Sequence, residues 1–157
     1  MKKYIFLFAI VSVFLLSCSS EDQSLKAEIY QSAEGIALDG YDPVAYFVHS
    51  EAKLGTEQSS AEYNGLTYYF SSSKNQALFQ ANPEQYLPEY GGWCAYAVAE
   101  GSRKMEPDPS QWQIQDGKLI LFTSNLMTKL TGDLKDDWNE EPEEYKIKAD
   151  KNWEKIK

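Results

Sequence analysis

The stretch Tyr90-Gly91-Gly92-Trp93-Cys94-Ala95-Tyr96-Ala97 sets a thiol between two aromatic residues, just after a pair of glycines. A cysteine in such a setting is either a small buried core residue or a soft nucleophile or metal ligand. The chain has two cysteines, and Cys18 lies in an N-terminal stretch with a different reading, so Cys94 is alone in the domain. No Cys-x-x-Cys pair exists for redox cycling or for zinc, and no intramolecular disulfide can form. His49, the single histidine, is followed by Ser50, Glu51 and Lys53, which suggests an exposed turn and leaves little for general-base chemistry. Paired carboxylates, a Ser-His-Asp set, a phosphate loop and a dinucleotide fingerprint are all missing from any convincing setting.

The N-terminus reads as an address. Lys2 and Lys3 precede an apolar run from Tyr4 to Leu16, too short to span a bilayer comfortably. Leu15-Leu16-Ser17-Cys18 then resembles a bacterial lipobox. That resemblance implies cleavage after a signal peptide at residues 1–17, lipidation of Cys18, and an acidic tether over residues 18–34. Ser19 directly after the cysteine resembles lipoproteins sent on to the outer membrane of Gram-negative bacteria. The expected location is therefore the cell envelope, with acyl chains as the membrane anchor.

Composition narrows the partners. Twenty-four acidic residues face 15 basic ones, a formal charge of −9. Loss of Lys2 and Lys3 on cleavage would make the protein more acidic still. Nucleic acid binding needs phosphate-neutralising Lys and Arg, so no nucleic acid partner is expected. The same charge repels anionic head groups, which leaves the lipid as the means of attachment. Roughly 140 residues remain after cleavage, enough for one domain with a real core.

The elements that must position Cys94 follow from local patterns. Asp42-Pro43 is a strong helix start for Val44 to Val48. Asn64-Gly65 between Ser60-Ala61-Glu62-Tyr63 and Leu66-Thr67-Tyr68-Tyr69-Phe70 predicts a hairpin. Ser71-Ser72-Ser73 caps a helix starting near Lys74, with Ala77, Leu78 and Phe79 turned inward, and Asn82-Pro83 stops it. A short helix is expected over 91–99, whose N-terminal dipole would favour the Cys94 thiolate while Trp93 and Tyr96 would oppose it by excluding water. Asp108-Pro109 reads as a helix start or turn. A second hairpin follows, turning at Asp116-Gly117. Leu126, Leu130, Leu134 and Trp138 predict one amphipathic helix despite Gly132, and Tyr145, Ile147, Ala149, Trp153 and Ile156 mark a closing helix. Glu140 to Glu144 lacks the Asp-rich loop of a calcium site and reads as a solvated helix start. The fold class is α+β: one domain over residues 35–157, two hairpins with short helices packed on them.

Tyr63-Asn64-Gly65, Tyr68-Tyr69-Phe70, Phe79 and Asn82-Pro83-Glu84-Gln85-Tyr86 resemble the core of a YHS domain. Gly40-Tyr41-Asp42-Pro43-Val44-Ala45-Tyr46-Phe47 and Gly91-Gly92-Trp93-Cys94-Ala95-Tyr96-Ala97 extend the likeness to the secreted YHS domain-containing (seleno)proteins. The resemblance implies association with metal handling, copper above all. Metal-binding members of the wider group carry one cysteine shortly after the Asp-Pro and two around the start of the helix after the hairpin. Here the corresponding places hold Ala45, and Ser71 with Asn75 nearby. A soft-metal site on those thiolates cannot exist in this chain.

Three functions remain in view. The first is binding of a metal ion, copper as first guess, or of a small ligand, through Cys94 with help from Asp39, Asp42 or Asp108, or from the phenols Tyr41 and Tyr96. The second is a single-cysteine thiol oxidoreductase working through a sulfenic acid or mixed disulfide with an external thiol. The third is a non-catalytic module docking on an envelope protein, with Cys94 as core.

Overall fold

A computed structural model of the chain describes residues 29–32, 34–124 and 126–157. The expected signal peptide, the lipidated Cys18 and most of the tether lie outside the described residues. Among those described, no helix is long and apolar enough to cross a membrane.

The architecture is small α+β. Strands β1 (Thr56–Tyr63) and β2 (Leu66–Phe70) pair antiparallel, as do β3 (Asp108–Gln115) and β4 (Lys118–Phe122). Both hairpins turn where two-residue loops demand it. Asn64 and Gly65 have φ of 49° and 72°, Asp116 and Gly117 of 52° and 74°, the left-handed pair that matches strand twist. Each hairpin has an irregular outer end, with register shifting between Thr56 and Ser60 and between Asp108 and Trp112. Asp108-Pro109 is thus the first part of β3 and not a helix start: the Asp108 carboxylate accepts from the Ser110 amide and hydroxyl, a local turn that strand β3 absorbs. Inward residues alternate along β2, where Leu66, Tyr68 and Phe70 are buried, whereas Leu119 to Phe122 of β4 are buried without a break.

Six helices of the described chain pack on these hairpins: α1 (Ala45–Val48), α2 (Ser73–Ala81), α3 (Ala95–Gly101), α4 (Leu126–Thr131), α5 (Leu134–Glu140) and α6 (Pro142–Ile156). In α2 the Ser72 side chain accepts from the Asn75 amide, as the serine run predicts. Its buried face is Asn75 and Phe79, one turn apart, while the expected inward Ala77 is exposed. Helix α3 begins at Ala95, later than expected, because Tyr90, Gly91 and Gly92 all take positive φ and form a tight turn before it. A Cβ on Gly92 would sit 3.2 Å from Pro88, in a backbone conformation only glycine adopts freely.

The stripe from Leu126 to Trp138 is two helices and not one. Gly132, at φ 129°, ends α4, and the Asp133 side chain accepts from the Lys135 amide to start α5. The break rotates the two segments apart, so Leu130 is 74 % exposed while Trp138 is fully buried. Ile147 on α6 also faces solvent. The core is in two parts. One gathers Leu38, Val44, Tyr46, Tyr68, Phe70 and Phe79 around the first hairpin. The other gathers Tyr90, Cys94, Val98, Phe122, Trp138 and Ala149 around the second.

Candidate functional site

Ala45, Ser71 and Asn75, the places that the resemblance sets against thiolates, come together in space around Asp42. This side chain is fully buried. Its Oδ1 accepts from the amides of Val44 at 2.9 Å and Ala45 at 3.3 Å. Its Oδ2 accepts from the Ser71 amide at 2.8 Å, the Ser71 hydroxyl at 2.7 Å and Asn75 Nδ2 at 2.7 Å. Five donors therefore converge on one carboxylate. The arrangement arises because Asp42 starts α1 while Ser71 and Asn75 lie on either side of the start of α2, so one group ties both helix starts to the end of β2. Charge-assisted bonds of this kind are short and strong, and a buried carboxylate needs them to offset its desolvation. Chemically the site is closed: the lone pairs a metal would use are already taken by protein donors.

Cys94 is also fully buried and unpaired by any disulfide. It precedes α3 with no side-chain cap, its amide donating to the Met105 carbonyl at 3.0 Å and its carbonyl accepting from Val98. Its neighbours are apolar: Tyr90, Val98, Ile120, Phe122 and Trp138 belong to the same cluster. The helix behind it is seven residues long, too short to make a thiolate site of itself. An alkylating reagent is accordingly expected to leave Cys94 untouched in native protein and to label it fully after denaturation. Rapid labelling under native conditions would show an open thiol.

The other expected ligands do not join it. Asp39 is exposed and accepts from the Tyr30 hydroxyl at 3.1 Å, in a tight turn where Leu38 and Asp39 take positive φ. Burial, then the charge of Asp39, pushes the Tyr30 phenol up to about 12. Asp108 is held by Ser110 at the outer end of β3. Tyr46 donates its hydroxyl to the Pro109 carbonyl at 2.9 Å, and its ionisation is pushed up first by burial and then by Tyr41, Asp108, Asp42 and Asp39. Those four are thus close enough to be felt at one phenol. Even so, no three His, Cys, Asp or Glu side chains among the described residues are placed to share a metal ion. Tyr96 sits against Tyr145, ring centroids 5.2 Å apart. Burial and that neighbour push its phenol up to about 12, so at neutral pH it is not a phenolate ligand.

His49 is exposed, as its surroundings predict. It lines a cleft of about 370 Å³ with Lys53, Lys74, Ser71 and Asn75. This cleft is the outer approach to the Asp42 knot, and the Lys53 and Lys74 ammonium groups repel a metal cation there. Sequence reasoning named Ser71 and Asn75 only as missing thiolates. Ser71 lies just before the Ser72 cap and Asn75 in the first turn of α2, and both reach Asp42 from there.

Residues 49–90 match the family model described as YHS domain. The matched stretch holds β1, β2, α2 and the turns up to Tyr90, while Asp42 and Cys94 lie just outside it. Neither a search of curated proteins nor a search of solved structures found a match.

Proposed function

We propose that this chain is a lipid-anchored, non-catalytic binding protein of the cell envelope, whose YHS domain holds a small organic molecule in place of a thiolate-bound metal. The observation that carries the reading is the saturated Asp42 carboxylate, standing where metal-binding relatives gather cysteines. The association of YHS domains with metal handling made copper at Cys94 the first expectation. The donors do not fit it: Cys94 has no second ligand in a metal group, Asp42 is satisfied, and the approach to Asp42 is lined by Lys53 and Lys74. A cuprous ion prefers two or more soft donors, and Cys94 is fully buried with no group of three His, Cys, Asp or Glu among the described residues gathered for a metal. The burial of Cys94 weighs equally against a thiol oxidoreductase, which needs a reachable thiolate. The anchor rests on Leu15-Leu16-Ser17-Cys18.

Two measurements test this. Purified full chain incubated with cuprous ion and desalted is expected to retain less than about a tenth of an equivalent. One equivalent, lost on Cys94→Ser, would restore the copper reading. In cells fed a tagged fatty acid, the chain is expected to take up label and sediment with membranes, and Cys18→Ser to abolish both. Labelling indifferent to that substitution would remove the anchor.

A further inference from the structure

The inward face of β2 contains one polar atom, and it has no partner. Leu66, Tyr68 and Phe70 point into the first core cluster, each 1 % exposed or less. Only Tyr68 brings a hydroxyl, and among the described residues nothing bonds to it. Its ring packs on Phe79 with centroids 4.8 Å apart, so packing alone would be served equally by phenylalanine. Buried polar groups are nearly always paired, and an orphan calls for a ligand or a cost in stability.

Tyr68 also lines a cavity of about 380 Å³. That is within the range of small-molecule sites. The cavity lies on the seam between the two cores: Tyr68 belongs to the first, and Trp153, which also lines it, packs against the second. Ile29, Leu87 and Pro88 add apolar surface to the lining, and Glu84 and Lys157 add polar surface. Two charged residues reach it, and both are engaged elsewhere. Glu84 accepts from the Tyr63 hydroxyl at 2.6 Å, and Lys157 pairs with Glu154 at 2.6 Å. The lining thus brings one charge of each sign, which selects for neither a cation nor an anion. Burial pushes ionisation of Tyr68 well above the usual phenol range, so its hydroxyl remains a donor at physiological pH.

We propose that this cavity binds a small, neutral, mostly apolar molecule bearing a carbonyl oxygen, which accepts the one buried hydrogen bond from Tyr68 while its body lies between Trp153 and Leu87. The proposal rests on the reading of the domain as a small-molecule holder and names its site and ligand class.

Fluorine NMR of para-fluoroacetophenone with the full chain in lipid nanodiscs tests it, with para-fluoroethylbenzene as the hydrocarbon counterpart. The ketone signal is expected to broaden in a saturable way. Leu87→Trp, which fills the cavity, is expected to abolish the broadening. Tyr68→Phe is expected to weaken the ketone about tenfold and leave the hydrocarbon unchanged, the signature of one lost hydrogen bond. No saturable broadening, broadening indifferent to Leu87→Trp, or equal effects of Tyr68→Phe on ketone and hydrocarbon would each overturn the proposal. Copper retention on Cys94 is a separate outcome: it would defeat the metal-free reading and leave the ketone result standing or falling by itself.

Discussion

Asp42→Ala is expected to destabilise the domain by about 3–5 kcal/mol, a large part of the 5–15 kcal/mol typical of a whole protein. The substitution removes the acceptor for five donors, of which the Ser71 amide, Ser71 hydroxyl and Asn75 amide group are left facing one another in the interior. It also unties the start of α1 from the start of α2. Asp42→Asn should cost less but still about 2 kcal/mol, because one side-chain oxygen becomes an NH₂ that opposes the donors around it. Urea denaturation of the variants measures both losses. A double-mutant cycle with Asn75→Ala should return a coupling of about 1–3 kcal/mol, since the two side chains share one bond at 2.7 Å. If Asp42→Ala unfolds within about 1 kcal/mol of the parent, the carboxylate is not a structural knot, and the argument against a metal there loses its basis.

Trp138→Ala is expected to cost at least as much, about 4–5 kcal/mol. The side chain is fully buried and is the largest in the second core. Its ring meets Phe122 of β4 edge-on and lies nearly parallel to Tyr145 of α6, each with centroids 5.8 Å apart. Its Nε1 donates to Gln115 Oε1 at 2.9 Å, at the end of β3. One residue of a short helix thus joins the second hairpin to the closing helix. The variant should leave Cys94 open to native alkylation, because the two share a cluster. Trp138→Phe keeps most of the volume and should recover more than half of the loss. Thermal unfolding followed by circular dichroism separates these cases. A melting point shifted by less than about 3 °C for the alanine variant would contradict the packing described.

The Asp42 knot also indicates how a domain can keep its fold when thiolates are absent. A metal centre would tie the segment after the Asp-Pro to the start of the following helix. In this chain a carboxylate and five protein donors make the same tie, the amide of Asn75 and the hydroxyl of Ser71 among them. Binding can then move elsewhere, and the seam between the two cores is where an unsatisfied group waits.

Local chemistry was readable from the chain alone. Asn64-Gly65 and Asp116-Gly117 each require left-handed φ at both positions, so each hairpin follows from two residues. Asp42-Pro43 and Ser72 mark helix starts because a side-chain oxygen next to free amides caps them wherever the chain goes. The YHS likeness came from the same short-range spacing, and the family match covers that stretch. Periodicity was less reliable. Leu126, Leu130, Leu134 and Trp138 have helical spacing, yet Gly132 divides them, because a glycine at φ 129° costs nothing that the Asp133 cap does not offset.

The site itself was beyond sequence reach. Whether Cys94 is open or closed depends on the cluster it shares with Phe122 of β4, Trp138 of α5 and Ala149 of α6, all distant in the chain. That Asp42 meets Ser71 and Asn75, 29 and 33 residues on, depends on how the first hairpin folds back across α1. The orphan hydroxyl of Tyr68 is invisible in Tyr68-Tyr69-Phe70, where alternation says only that it points inward. By itself the sequence determined the elements, the acidic character and the presence of one lone thiol around Gly92-Trp93-Cys94-Ala95. Only the tertiary structure decided that the thiol is core, that Asp42 is already satisfied, and that a phenol lies unpaired beside a cavity. Burial and hydrogen-bond pairing are properties of the assembled chain, set by segments that no local pattern brings together.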